Sequence, residues 1–594
     1  MIPIILGTDI ATDRQICLSP EIFERHFHLI GATGSGKTTA ILTMIRPILM
    51  DPIDRACIFI VDPMGNLSKD LLRWMANKRY CPEHVRKRLL YIEPAREEIV
   101  LPFNPLLYQT PAHEYYQVER AVSIILRAWE SQELAAMPRL RKWTFSSFTA
   151  AARRGHPIAS CQYLLQPGSD EHNALLGQLP EDLQYEWKEI LSARGNEAIR
   201  ILESTRNRLD PFFRSVILRR MFGSRRNHFD VQRFIRERRI VILNLAGYGR
   251  VPRHLGSTIG GLAVNEILEG AAHLAGESPN LVRPTYILLD EFQNFGGPDI
   301  YDAIPTVRQQ GVRLILSHQS FSQLEQGDID LSGLIWQARS RLVFACDADD
   351  ADRLAHEVAH LTFNAYEIKN MLKSYKQRIA GYRREWLQTR GSTEGSTEGF
   401  QEQHGTKRSA GAGRITPPDS YESTRTATSG TDMTDSQTRS GGTTQQESRG
   451  EHEINIPIHE DFEEVSNITF KSFEERRSEW GRDIRKLGTG QALGKFADDP
   501  QLYRVQVHHD PIPDSPQIRA EMQNLIEQNF QSDLFVSAAD LDREAEELRQ
   551  ALFHDPPVTL HVERSETPAL PGPVVPVHTP APSKQAKPPD PLFP

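Results

Sequence analysis

The chain has 594 residues, of which 39% are hydrophobic and 25% charged, and its formal net charge is -9. At about 150 residues per domain this suggests about four units, and the acidic balance does not announce a nucleic-acid binder, although a global average can hide a local basic patch. Five scattered cysteines (Cys17, Cys57, Cys81, Cys161, Cys346) show no C-x-x-C spacing, which argues against a disulfide framework or a zinc site and fits a reducing cytosol. Met1-Ile-Pro-Ile-Ile-Leu6 lacks the basic start of a signal peptide, and no apolar run approaches the ~20 residues that span a bilayer, so the expectation is a cytoplasmic protein.

Residues 1–26 read as short strands and turns leading to an apolar run, Phe27 to Ile30. Directly after it stands Gly31-Ala-Thr-Gly-Ser-Gly-Lys-Thr-Thr39, in which Gly31, Gly36, Lys37 and Thr38 fill the G-x-x-x-x-G-K-[ST] spacing of a phosphate-binding loop. Glycines let backbone N–H groups close around phosphate oxygens, and the helix-like run from Ala40 to Ile45 presents its positive end. On this reading Gly31, Ala32, Thr33, Gly34, Ser35, Gly36, Lys37, Thr38 and Thr39 cradle a nucleoside triphosphate. Lys37 reaches the β- and γ-phosphates, and Thr38 supplies a hydroxyl to Mg²⁺.

Arg55-Ala-Cys-Ile-Phe-Ile-Val-Asp62 is a buried-strand pattern ending in an acid. Strands alternating with helices predict a parallel sheet whose ligands gather at the carboxyl ends of the strands. Two roles are open to Asp62, a site acid or the cap of the next helix. From about residue 105 to 232 the spacing turns helical, with runs at His113–Trp129, Arg139–Ala152, Gln184–Ser192 and Asn196–Phe213, so this stretch is read as an all-α insertion. Its later part is rich in arginine (Arg200, Arg206, Arg219, Arg220, Arg225, Arg226) with interleaved Phe212, Phe213, Phe222 and Phe229. This is either a polyanion-facing surface with stacking rings, or a solvated face over core aromatics.

The sheet pattern resumes at Arg239–Leu245, followed by a small-residue helix from Arg253 to Ala275. Tyr286-Ile-Leu-Leu-Asp-Glu291 then gives an apolar strand ending in two acids. Paired with the loop upstream, Asp290 is assigned to the Mg²⁺ shell and Glu291 to the attacking water. Val312-Arg-Leu-Ile-Leu-Ser317 leads to Gln319, either a sensor of the γ-phosphate or a turn residue. Arg308, on a helix-like segment from Asp302 to Gln310, is either an arginine finger reaching a neighbouring subunit or an ordinary surface arginine. Residues 389–455 are rich in Gly, Ser, Thr, Gln and Glu and are expected to be a disordered polar insertion. Residues 456–510 are expected to rejoin the nucleotide fold. Amphipathic helices follow over 511–554, with Ser537 and Asp540 spaced as a capping box, and a Pro-rich disordered tail over 555–594.

With these segments placed, the chain resembles the HerA/FtsK-like motor ATPases, and most closely the TraD/TraG-like coupling-protein ATPases of type IV secretion and conjugation. The resemblance rests on the phosphate loop, Ile60-Val-Asp-Pro-Met-Gly65, Leu288-Leu-Asp-Glu291, Arg308-Gln-Gln-Gly-Val-Arg-Leu-Ile-Leu-Ser-His-Gln319 and Leu487-Gly-Thr-Gly-Gln-Ala492. It implies an α/β, RecA-like P-loop fold with a mainly parallel sheet, formed by residues 1–104 and 233–388, and carrying the all-α insertion. It also implies ATP and Mg²⁺ as cofactors, with Lys37, Glu291, Gln319 and Arg308 as the catalytic set and Thr38 and Asp290 at the metal. The partners it implies are DNA, a homohexameric ring, and relaxase or secretion-channel proteins. Members often carry N-terminal membrane helices, and the nucleotide fold here begins almost at residue 1. The expected location is therefore cytoplasmic, or peripheral at the inner membrane through partners.

Overall fold

The computed structural model describes all residues except 1, 54, 109, 128–137, 192–196, 278–283, 296–306, 327–328, 331, 396–406, 416–423, 433–443, 498 and 555–594. The chain divides into two units: Met1–Leu361 together with Trp480–Pro594, and Thr362–Glu479.

The first unit is organised by an eleven-stranded sheet. Its strands are β1 (Ile4–Asp9), β2 (Gln15–Leu18), β3 (Phe27–Ile30), β4 (Cys57–Asp62), β5 (Leu89–Ile92), β6 (Ile240–Asn244), β7 (Thr285–Leu289), β8 (Val312–His318) and β9 (Ser340–Val343), closed by Gln491–Lys495 and Leu502–Val507. The spatial order is β2, β1, Leu502–Val507, Gln491–Lys495, β9, β3, β8, β7, β4, β6, β5. From β9 to β5 every neighbouring pair is parallel, whereas the strands beyond β9 are antiparallel. Burial follows this division. Strands β3, β4, β5, β6 and β7 are buried at every residue, while β2 alternates, as expected for a parallel sheet covered on both faces and an antiparallel margin wetted on one.

The helices α1 (Lys37–Met50) and α2 (Asn66–Ala76) follow β3 and β4. The segment between β5 and β6 is helical as expected, with long helices at Pro111–Arg127, Pro138–Arg153, Glu181–Leu191 and Glu197–Arg214. The Trp129 and Ser192 ends of two expected helices lie outside the described residues, as do 302–306 of the expected helix before β8. The interleaved phenylalanines of this insertion are core. Phe212, Phe222 and Phe229 are at most 1% exposed, and Phe103 packs against Phe222 and Phe229 with centroids 5.5 and 5.0 Å apart.

Two C-terminal helices, Pro516–Phe530 and Ala538–His554, tie the insertion to the sheet. Asp540 donates its N–H to the Ser537 hydroxyl at 3.2 Å, which is the N-cap bond expected from that spacing. The second helix also corrects the arginine reading. Arg220 is paired with Asp542 at 2.6 Å, Arg226 with Glu544, and Arg233 with Glu237 and Asp533. These three guanidinium groups belong to ion pairs within the chain rather than to an open basic face, and three of the four acids that offset them, Asp533, Asp542 and Glu544, stand some three hundred residues further along.

Of the polar insertion expected over 389–455, residues 396–406, 416–423 and 433–443 lie outside the described residues, and the described part of the second unit is built from strand pairs. Ile368–Gly395 pairs antiparallel with Thr444–Phe470, from Ile368 opposite Phe470 to Gly395 opposite Thr444, with register shifts after Ile368, Leu372 and Ile379. A further backbone hairpin joins Lys407–Ile415 to Thr424–Asp432. In the described part the ladder is made by the backbone. The boundaries move accordingly: the nucleotide-binding sheet unit ends at Leu361 and resumes at Trp480, not at 388 and 456. The tail over 555–594 lies outside the described residues.

Candidate functional site

Strands β3, β8, β7 and β4 are neighbours, so their carboxyl ends bring together Gly31–Thr39, Gln319, Asp290–Glu291 and Asp62. This is the edge of an open parallel sheet where ligands bind. The loop needs its glycines: Gly36 has φ +114°, and a Cβ there would stand 2.9 Å from Gly490 Cα. A Cβ on Gly31 would stand 2.5 Å from Phe344 Cβ. The turn at Gly490 is thus packed directly on the loop, and its N–H donates to Ser35 O at 2.8 Å.

Lys37 at the start of α1 is buried and donates to the carbonyls of Gly31 and Ala32. Burial lowers its pKa, while the carboxylates of Glu291 and Asp290 pull it back up. The two acids are therefore in the electrostatic field of the loop lysine. Asp290 is pushed up to about 6, first by burial and then by Asp62 and Glu291. A cation beside it would relieve that strain.

Glu291 takes left-handed backbone angles (φ 50°, ψ 52°), an uncommon conformation for a residue with a side chain. Asn294 holds it there, donating its side-chain amide and its backbone N–H to Glu291 O at 2.9 and 3.0 Å. Both carboxylate oxygens are occupied: Gln319 Nε2 donates to Oε1 at 2.7 Å and Gln293 Nε2 donates to Oε2 at 2.8 Å. Gln319 also accepts from the Thr33 hydroxyl at 3.0 Å, so one amide bridges the phosphate loop and the acid.

Asp62 is the helix cap of the two readings open to it. It is fully buried, and its carboxylate accepts from the N–H groups of Met64, Gly65 and Ser68 at 3.0, 2.8 and 2.7 Å. Its lone pairs serve the turn into α2, and it acts on the site only as a fixed negative charge beside Asp290. Arg308 lies exposed on the turn before β8; within one chain the structure does not bring it into the Lys37–Glu291–Gln319 group.

Two features escaped sequence reasoning. Gln293, two residues after Glu291, had no motif to mark it. Behind the site, His28 on β3 and His318 on β8 face each other with Nε2 atoms 2.7 Å apart. Arg341 Nε donates to His28 Nδ1 at 3.1 Å, so a neutral His28 carries its proton on Nε2 and donates it to His318. His318 then holds its proton on Nδ1, 3.1 Å from Ser320 O. Burial lowers both pKa values, His318 to about 3, which is consistent with two neutral rings and one direction of donation.

The residues present fit a nucleotide and a divalent cation on structural grounds. Ser35 Oγ is buried without a hydrogen-bond partner among the described residues. A Cβ on Gly34 would meet nothing within 4 Å. On the far side of Thr38 and Thr39 a cavity of about 240 Å³ opens, bordered by Thr43, Arg46, Asp510 and Ile512.

Fold and loop together define a P-loop NTPase of the RecA-like α/β class. Residues 4–251 match the family described as the central domain of helicase HerA, and residues 284–404 match the TraM recognition site of TraD and TraG. Over these residues the chain is similar to HerA- and TraD/TraG-type proteins.

Among solved structures it is similar to the bacterial conjugative coupling protein TrwBdeltaN70 in an unbound form, with 14% identity, a TM-score of 0.46, and 86% of this chain and 91% of that one covered. It is similar by the same coverage and TM-score to TrwB in complex with ADP and Mg²⁺, at 13% identity, and with the GTP analogue GDPNP, at 14%. A thymidine kinase of Deinococcus deserti is 39% identical over 71 residues, 11% of this chain. The chain spans 35% of the length of that curated relative. Among the described residues no helix is long and apolar enough to cross a membrane.

Proposed function

We propose that the protein is an ATP-hydrolysing DNA translocase of the coupling-protein kind, acting in conjugative or type IV secretion-like DNA transfer as a homohexameric ring. The observation that carries the hydrolytic reading is Glu291, fixed through both oxygens by Gln319 and Gln293 beside the buried Lys37. In this reading Lys37 and the loop N–H groups bind the phosphates. The residues that would hold Mg²⁺ are Thr38 and Asp290, and the bound ion supplies positive charge against the phosphate oxygens. Glu291 orients the attacking water and accepts its proton, and Gln319 links that carboxylate to the loop through Thr33. Base and ribose extend toward the cavity beyond Thr39. Arg308, exposed before β8, is the candidate finger for a neighbouring subunit's nucleotide, with a relaxase or secretion-channel protein as the further partner.

ATP turnover with and without single- and double-stranded DNA tests this, with Lys37→Ala and Glu291→Gln as controls. The expected result is turnover that DNA stimulates and that both variants lose. Turnover lost in the variants but indifferent to DNA would overturn the translocase. It would favour a second reading, a nucleotide-dependent switch that recruits protein substrates. The pairing of Arg220 and Arg226 with C-terminal acids favours that reading, because those arginines are engaged internally.

A further inference from the structure

The ribbon of the second unit is long, narrow and polarised. Its two strands, β10 (Ile368–Gly395) and β11 (Thr444–Phe470), run beside each other for more than twenty residues, roughly 90 Å at 3.3 Å per residue. A two-stranded ribbon is at best marginally stable in water, and each of its outer edges offers unpaired N–H and C=O groups to another strand. It also exposes apolar side chains: Leu372, Tyr375, Tyr382 and Trp386 are 61%, 72%, 61% and 65% accessible.

The charge is sorted by strand. Between 368 and 388, β10 carries six Lys or Arg and one acid; between 450 and 470, β11 carries six acids and no Lys or Arg. Inside the ribbon these charges meet across the ladder, Lys373 with Glu463 at 2.9 Å, Lys376 with Glu464 at 2.8 Å and Arg378 with Glu460 at 3.1 Å. The same sorting leaves one outer edge basic and the other acidic.

We propose that β10 of one copy of this chain pairs edge to edge with β11 of the next, so that neighbouring ribbons form one continuous antiparallel sheet. Charge selects this partner. A basic edge against a basic edge, or acidic against acidic, sets like charges opposite each other along the ladder, which is destabilising. Basic against acidic gives every Lys and Arg a second carboxylate. Direction agrees: in ribbons pointing the same way, β10 of one copy is antiparallel to β11 of its neighbour. The contact is therefore head-to-tail, the kind that closes a ring under rotation, and a closed ring of ribbons is a barrel with no free edges. Pro457 takes one N–H out of the acidic strand, so the pairing runs on either side of it.

The test uses the full chain with the one exposed native thiol removed (Cys17→Ser), the other four cysteines being buried. One tagged version carries a single cysteine on β10, at Lys373, Lys376 or Arg378. A second version, with a different tag, carries one on β11, at Glu460, Glu463 or Glu464. The two are co-expressed and mildly oxidised. The expected result is a covalent dimer containing both tags for at least one combination, several-fold more abundant than same-tag dimers. No mixed dimer in any combination, or same-strand dimers equal to mixed ones, overturns the proposal. The readout is a disulfide and not turnover, so it stands or falls apart from the ATPase reading.

Discussion

Gln319 donates its side-chain amide to Glu291 at 2.7 Å from the end of the strand that separates the acid strand from the phosphate-loop strand. The other carboxylate oxygen is held by Gln293, which itself donates to Gln323 Oε1 at 2.9 Å. Glu291 is thus aimed by two amides that need not touch nucleotide. Gln293→Ala should lower the rate of ATP hydrolysis by about ten- to a hundred-fold, the cost of misplacing a reacting group by about 1 Å, while nucleotide affinity stays near wild type. Steady-state turnover beside a fluorescent-nucleotide titration separates the two. Equal loss of rate and affinity would place Gln293 in binding instead.

The buried His28–His318 pair predicts a pH dependence of stability. Both folded pKa values lie below the ordinary value of 6.5, so the unfolded chain takes up protons that the native one refuses. The stabilisation is complete above pH 6.5 and is lost as pH falls from there toward about 3. By pH 5.5 the loss is about 1 kcal/mol per histidine. A His28→Asn/His318→Gln double variant should show a shallower fall in the denaturant midpoint between pH 7.5 and 5.5 than the wild type. An identical slope would show that other groups carry the dependence.

What the sequence made legible was local. Gly31–Thr39 and Asp290–Glu291 each lie within a few residues of a strand end, so spacing and apolar runs were enough to find them. The order of strands is not local: nothing in Val312–His318 alone says that it lies between β3 and β7, and it is this placement that carries Gln319 to Glu291. The arginines of the insertion show the same limit, since Arg220 finds Asp542 322 positions away. Asp62 was undecided because a carboxylate at a strand end serves a cap or a ligand equally well; only the three N–H groups around it decide. The ribbon was missed because its ladder joins residues 49 to 102 positions apart, and its few leucines and valine, Leu372, Leu387 and Val465, stand exposed rather than in the unbroken apolar run of a buried strand.

Glu266, half-buried on the helix Arg253–Glu277, is pushed up to about 8 by burial and then by the neighbouring Glu269. Gln117 donates to it at 3.2 Å and Arg120 partly offsets it. A raised carboxyl pKa stabilises the fold fully below the unfolded value near 4.5, and that contribution is lost as pH rises through about 8. Glu266→Gln keeps the hydrogen-bonding shape without the ionisation. Its stability relative to wild type should therefore rise steadily between about pH 5 and pH 9, as read from thermal midpoints. A difference independent of pH would contradict the shift.

Asn529 closes the outer edge of the sheet at Tyr91. Strand β5 has a neighbour on only one side, and on the other Tyr91 would leave its N–H and C=O without a ladder. Asn529 meets both, accepting from Tyr91 N at 2.8 Å and donating to Tyr91 O at 2.8 Å, so one side-chain amide stands in for an adjoining strand. The same helix seats Phe530 against the Tyr91 ring, with centroids 6.3 Å apart. Asn529→Ala removes both hydrogen bonds while the helix keeps its apolar contact, leaving two buried backbone groups unpaired. The expected cost is about 2 kcal/mol, measured as a lowered denaturant midpoint with unchanged slope. Asn529→Asp keeps the acceptor but loses the donor to Tyr91 O and brings a charge, so it should be at least as damaging. If Asn529→Ala were neutral while Phe530→Ala destabilised, the helix would be held by its apolar face alone and the amide would not be guarding the edge.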